Sequence, residues 1–147
     1  MTSSPSSPKP VLIVGAGISG LLLAQSLRKS GVAFRIFERD ADLTTRGVGW
    51  GLTLHWCLPA LRRLLPEDLV RRLPEAYVDR DAVARGEAST FPFYDLATGT
   101  LQQSSHVPES HRIRVTRQRL RALLCTGLDI QVRLRLPLDA VKRKPWA

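Results

Sequence analysis

Sulfur, aromatic rings and long apolar runs are all scarce in this chain of 147 residues. Its two cysteines, Cys57 and Cys125, sit in separate apolar segments without partner spacing, which excludes a disulfide framework. They are expected to be buried thiols in a reducing, cytoplasmic compartment. The three histidines, His55, His106 and His111, match no metal-ligand spacing even with Cys57 beside them, so no metal site is expected. A membrane span needs about 20 consecutive apolar residues, and no stretch here supplies them. The chain shows no internal repeat, and its length with 44% hydrophobic residues suits one core and one domain.

Charge is abundant but one-sided. Residues 1–109 carry 12 Lys/Arg against 11 Asp/Glu, whereas residues 110–147 carry 10 against 2, so nearly all of the +9 lies in the last quarter. Arg112, Arg114, Arg117, Arg119 and Arg121 cluster there, and Lys142-Arg143-Lys144 stands near the end. Aromatics amount to 6% of the chain and none interleaves with these cations, which leaves no stacking platform for bases. A solvated basic face is expected rather than a nucleic-acid partner.

What the chain does have is a glycine signature in the right surroundings. The apolar run Val11-Leu12-Ile13-Val14 leads into Gly15-Ala16-Gly17-Ile18-Ser19-Gly20, then a helical stretch to Gly31, a second apolar run through Phe37 and a carboxylate at Glu38. Gly15 permits a tight strand-to-helix turn, Gly17 lets backbone approach a pyrophosphate, and Gly20 lets the helix lie close to the strand. The helix N-terminus would aim N–H groups at the phosphates. Glu38, at the end of the second strand, is placed to accept hydrogen bonds from an adenosine ribose and to repel a 2′-phosphate. Lys9 and the small-x-small triplet Ala24-Gln25-Ser26 imitate a secretory signal, but glycines at phosphate-binding spacing are foreign to one. Residues 1–10, rich in Ser and Pro, read as a disordered leader.

Downstream, Arg46-Gly47-Val48-Gly49-Trp50-Gly51 places alternate glycines in an apolar segment, a sign of close approach to the backbone. Leucine spacing predicts two short helices over 58–65 and 66–73, with Pro66 at a first helical position. Residues 76–78 and 90–94 read as strands, and Thr98-Gly99 as the turn of a hairpin whose antiparallel sheet is separate from the nucleotide sheet. Leu120, Leu123 and Leu124 define one face of a helix over 117–125 that Gly127 stops, and residues 128–136 alternate as a strand with one wet face. A dehydrogenase would place a helix and a third parallel strand directly after its second strand, whereas here a glycine-rich segment and a helix pair intervene.

Four separated motifs together resemble the N-terminal portion of class A FAD-dependent aromatic hydroxylases, most closely their fungal, salicylate hydroxylase-like members. They are the glycine signature, Phe37-Glu38-Arg39, Arg46 with Gly49-Trp50-Gly51, and Val115-Thr116-Arg117-x-x-Leu120-x-x-x-Leu124. The resemblance covers roughly residues 10–131. It implies an α/β chain with an incomplete, glutathione-reductase-like (Rossmann-like βαβ) FAD-binding fold carrying a small antiparallel insertion. Residues 11–132 would be the partial FAD-binding domain and 133–147 an atypical tail.

By that resemblance Gly15, Gly17 and Gly20 would cradle the FAD pyrophosphate and Glu38 would hold the adenosine ribose. Arg39 would flank the adenosine, Arg46 with the backbone at Gly49 and Gly51 would line the flavin side, and Arg117 would reach back to the cofactor with its two-pronged guanidinium. In such enzymes NAD(P)H reduces the flavin and O2 supplies the oxygen given to a small, electron-rich aromatic substrate. No catalytic residue is assigned. The later Asp-Gly and Gly-Asp motifs of the family are not found here, so the chain by itself is expected to be inactive and to expose apolar surface. Two alternatives stand beside this reading: a non-catalytic FAD- or NAD-binding module, and a small oxidoreductase that dimerises to build its site.

Overall fold

A computed structural model of the chain describes residues 9–41, 50–108 and 111–132. Apolar Val11–Val14 forms strand β1, Ile18–Lys29 forms helix α1, and Phe34–Glu38 forms β2, which pairs parallel to β1 with Val11 opposite Phe34 and Val14 opposite Phe37. This is the expected βαβ unit. Next come β3 (Gly51–Leu54), α2 (Leu58–Leu64), α3 (Glu67–Arg72), a 3-10 turn over Leu73–Ala76 and α4 (Arg80–Ala84). Pro66 stands at the N-cap of α3 rather than inside it, because its extended ψ of 150° ends the preceding segment while Glu67 and Asp68 fill the dipole-favoured first turn.

The expected hairpin is β4 (Ala88–Tyr94) with β5 (Leu101–Pro108), a two-stranded antiparallel sheet. Asp95 accepts hydrogen bonds from Ala97 N and Thr98 N at 2.8 and 3.0 Å, and Gly99 takes φ of +69°, so the turn chemistry lies where the Thr98-Gly99 pair indicated. Residues 76–78 are not part of that sheet. They end the 3-10 turn and make an isolated antiparallel bridge from Tyr77 to Val115.

The chain then returns as β6 (Ile113–Thr116), antiparallel to β3, followed by α5 (Arg117–Leu124) and β7 (Ile130–Val132). Strand β7 lies parallel to β2, with Ile36 opposite Ile130, giving the order β1-β2-β7. The third parallel strand is therefore present, but most of the chain separates it from its neighbour. The expected strand over 128–136 is three residues long as described, and positions 133–136 lie outside the described residues.

One hydrophobic core joins these pieces. Ile13 and Ile36 turn one face of the parallel sheet onto Leu21 and Ala24 of α1, around which Leu58, Leu61, Leu65, Leu69, Leu73, Leu120, Leu123 and Leu124 are buried. Each such aliphatic side chain contributes roughly 1.5–3 kcal/mol on leaving water. The other face of β1 is bare: Leu12 is 64% and Val14 81% exposed. Polar ties fasten the helices as well. Buried Gln25 on α1 donates to Leu124 O and Thr126 O at 2.7 and 2.9 Å, and Lys29 donates to Arg63 O and Leu65 O at the end of α2. Both satisfy carbonyls that helix ends leave without partners.

Cys57 departs from expectation. It occupies the N-cap of α2 and is exposed, because the apolar run begins to face inward only at Leu58; Cys125 is half-buried, and burial pushes its thiol above the ordinary value while the Arg121 charge pulls it back.

Candidate functional site

The glycine signature folds as a strand-to-helix turn in which each glycine answers a different demand. Gly15 has φ of +103°, a conformation L side chains rarely adopt, and it donates to Phe37 O at 2.7 Å. At Gly20 a Cβ would lie 2.2 Å from Gly15 O and 3.3 Å from Ile13 Cγ2, so only glycine lets α1 approach β1. Gly17 is unlike both. Its φ is −75°, it is the N-cap of α1, and a Cβ there would meet nothing within 4 Å. Nothing inside the described residues requires glycine at 17, and the space it leaves open lies at the start of α1.

Opposite that start, at the end of β2, Glu38 folds back onto the turn. Its Oε2 accepts from Ala16 N at 2.8 Å, and its Oε1 accepts from Arg39 N at 2.7 Å and Asp40 N at 3.1 Å. Burial and the neighbouring Asp40 charge push the Glu38 carboxyl upward, but the three N–H donors outweigh them and hold it below the ordinary carboxylate range. From α5, the guanidinium of Arg121 donates through Nε to Ala16 O at 2.8 Å and approaches Glu38 Oε2 at 3.5 Å. Arg121 is only 8% exposed.

A groove of about 390 Å³ opens between these elements, lined by Val14, Gly15, Gly17, Phe37, Glu38, Arg39, Asp40, Arg117 and Arg121. Five of the nine residues singled out in the sequence, Gly15, Gly17, Glu38, Arg39 and Arg117, come together here. Gly20 stands behind the turn as a packing residue. The Arg39 side chain is 73% exposed and 3.7 Å from Asp40. Arg117, half-buried at the first position of α5, donates its backbone N–H to Trp50 O at 3.2 Å, which ties α5 to the segment before β3. Gly51 opens β3 opposite Thr116 and is not among the residues that line the groove, and Arg46 and Gly49 lie outside the described residues.

Two participants escaped the sequence reading. Asp40 adds a second carboxylate at the mouth beside Glu38, and Arg121 enters it from the core side. In the sequence Arg121 is one cation among five. Its spacing of four residues from Arg117, between the inward-facing Leu120 and Leu124, was the available sign that it points inward.

Known proteins are similar to this chain over most of its length. Residues 13–61 match a family model described as an NAD(P)-binding Rossmann-like domain. A protein of Arthroderma benhamiae named as a probable FAD-dependent monooxygenase is 57% identical over 128 residues, spanning 87% of this chain and 29% of its own length. An FAD-dependent monooxygenase of Emericella nidulans is 44% identical over 122 residues, spanning 82% of this chain and 30% of its own. This chain is related to the N-terminal part of the FAD-dependent monooxygenases. It spans about 30% of the length of the relatives it matches. Among solved structures, an FAD-containing monooxygenase of Photorhabdus luminescens superposes with a TM-score of 0.58 at 25% identity, over 85% of this chain and 30% of that one. The 2,6-dihydroxypyridine-3-hydroxylase of Arthrobacter nicotinovorans does so at 0.51 and 22% identity, over 86% and 29%, and shows the shared fold. Among the described residues no helix is long and apolar enough to cross a membrane.

Proposed function

We propose that the chain holds the adenosine diphosphate end of FAD, as the FAD-binding part of a flavin-dependent monooxygenase that uses NAD(P)H and O2 to hydroxylate a small, aromatic substrate. The observation that carries the reading is Gly17: a residue whose missing side chain serves no internal packing faces an open groove between an uncapped helix start and a half-buried carboxylate. The residues fit the group. The N–H groups at the start of α1 meet the diphosphate together with the partial positive charge of the helix end. Glu38 accepts from the ribose hydroxyls, and Arg117, half-buried at the groove wall, neutralises phosphate charge with paired donors. Arg46, Gly49 and Gly51 take the flavin side.

Bound flavin would supply the oxygen-transfer chemistry, and the protein supplies position and exclusion of water. No proton-moving or nucleophilic group of this chain is assigned to that chemistry. Leu12 and Val14 form the surface on which further chain would pack. Spanning about 30% of its relatives' length, the 147-residue chain is expected to bind FAD weakly and to hydroxylate nothing.

The family model matching residues 13–61 favours a second reading, a non-catalytic NAD(P)-binding module. Two adjacent carboxylates, Glu38 and Asp40, argue against its NADP form, since both would face a 2′-phosphate. Calorimetric titration separates the readings. FAD and ADP should bind, with NADP+ weaker than ADP by about tenfold or more, the equivalent of about 1.4 kcal/mol. Binding of NAD+ with none of FAD would establish the module instead, and a yellow chain that consumes NAD(P)H and O2 would contradict its inactivity.

A further inference from the structure

We propose that Arg121 is a positioning residue of the dinucleotide site, acting through Ala16 and Glu38 rather than on the ligand. The inference rests on the adenosine diphosphate reading above and deepens it. The peptide units on either side of Ala16 are held from opposite directions: its N–H donates to Glu38 Oε2 at 2.8 Å, and its carbonyl accepts from Arg121 Nε at 2.8 Å. Both partners are largely buried, with side-chain exposures of 11% and 10%, and they approach each other at 3.5 Å, so turn, carboxylate and guanidinium form one closed unit. In a trans peptide the C=O and N–H point opposite ways, so drawing the Ala16 carbonyl toward Arg121 turns the Gly17 N–H away from it, outward at the start of α1.

The same closure accounts for the lone pairs of Glu38. Each oxygen has room for about two donors. Oε1 meets Arg39 N and Asp40 N, and Oε2 meets Ala16 N and Arg121. The carboxylate is thus saturated by its own chain before any ribose arrives. A ribose hydroxyl must displace one of these donors, and the longest contact, that of Arg121 Nη2 at 3.5 Å, yields first. Arg121 thereby presets the carboxylate and gives way to the ligand while Nε keeps hold of the turn. A bidentate fork is needed for the two tasks, so lysine would serve only one of them.

The test measures Arg121→Met and Arg121→Lys in the full chain by two readouts. In the ligand-free protein, the carboxyl carbon of Glu38 is titrated by NMR; its midpoint should rise in Arg121→Met and rise less in Arg121→Lys. Affinities for ADP and for its 2′,3′-dideoxy analogue, which has no hydroxyls for Glu38, should then show wild type preferring ADP. That preference should narrow in Arg121→Met, with ADP weakened about tenfold, and be partly kept in Arg121→Lys. A Glu38 midpoint and an ADP preference both unchanged, with only the melting temperature lowered, would overturn the proposal. If Arg121→Met does not fold, the lysine variant carries both readouts. Failure of wild type to bind ADP would instead overturn the proposed function, while the carboxyl titration still decides whether the clamp exists.

Discussion

The corner where β1, α1, β2 and α5 meet and the β4–β5 hairpin are built in opposite ways. In the corner Leu21, Ile36 and Leu124 are fully enclosed, a close backbone approach admits only glycine at 20, and a half-buried carboxylate and a buried guanidinium grip one alanine from both sides. In the hairpin the ladder and an aspartate-anchored turn do the work, while Phe93, Tyr94, Leu96 and Leu101 stand 49%, 57%, 101% and 52% exposed. The groove lies against the overdetermined corner. A site that must present backbone N–H groups at fixed angles needs surroundings that leave those angles no alternative.

Substitutions can break this contrast. Gly20→Ala should have the largest effect, since a Cβ 2.2 Å from a backbone oxygen forces α1 off the turn. We expect a loss on the order of 3 kcal/mol or failure to fold, read by thermal or urea denaturation. Gln25→Leu comes next. It keeps the volume but strands the carbonyl of Leu124, while Thr126 O keeps its bond from Arg28 Nη1 at 3.2 Å, at about 1–3 kcal/mol.

Gly17→Ala sharpens the comparison because its stability and binding should part company. Its Cβ meets nothing in the chain, so denaturation should move by no more than about 0.5 kcal/mol. FAD affinity should nevertheless fall by about tenfold, because the new methyl occupies space meant for phosphate. Loss of stability equal to that of Gly20→Ala would show that the open groove is no cradle.

Acid provides a smaller effect with a definite sign. Glu38 has its folded carboxyl depressed from an ordinary 4.5, so its contribution is present above that value and lost as pH falls through the lower, folded one. Stability should therefore decline below about pH 4.5 more steeply in wild type than in Glu38→Gln. At the bottom of the scale, Leu96→Ser at the hairpin tip should change stability by less than about 0.5 kcal/mol.

Local chemistry was readable in the amino acids, and long-range closure was not. The βαβ unit, the helices over 58–73 and 117–125, the turn at Thr98-Gly99 and the stop at Gly127, whose φ is +70°, all depend on neighbours in sequence. Pairing of β3 with β6, and of β2 with β7, joins residues far apart along the chain, and no periodicity encodes such partners. Residues 76–78 show the same limit, since apolar character drew them toward the hairpin although tertiary packing gives Tyr77 to Val115. Within the site the spacing placed Glu38 at the end of its strand. That its lone pairs are already taken by Ala16, Arg39, Asp40 and Arg121 follows only from the fold.

The most direct trial of the central claim is to follow backbone amides by NMR while ADP is added to the 147-residue chain. Binding in the groove predicts the largest shifts at Gly15, Gly17, Ile18 and the amides that serve Glu38, with the hairpin silent. Shifts confined to other surfaces, or none with ADP in large excess over the protein, would contradict the account.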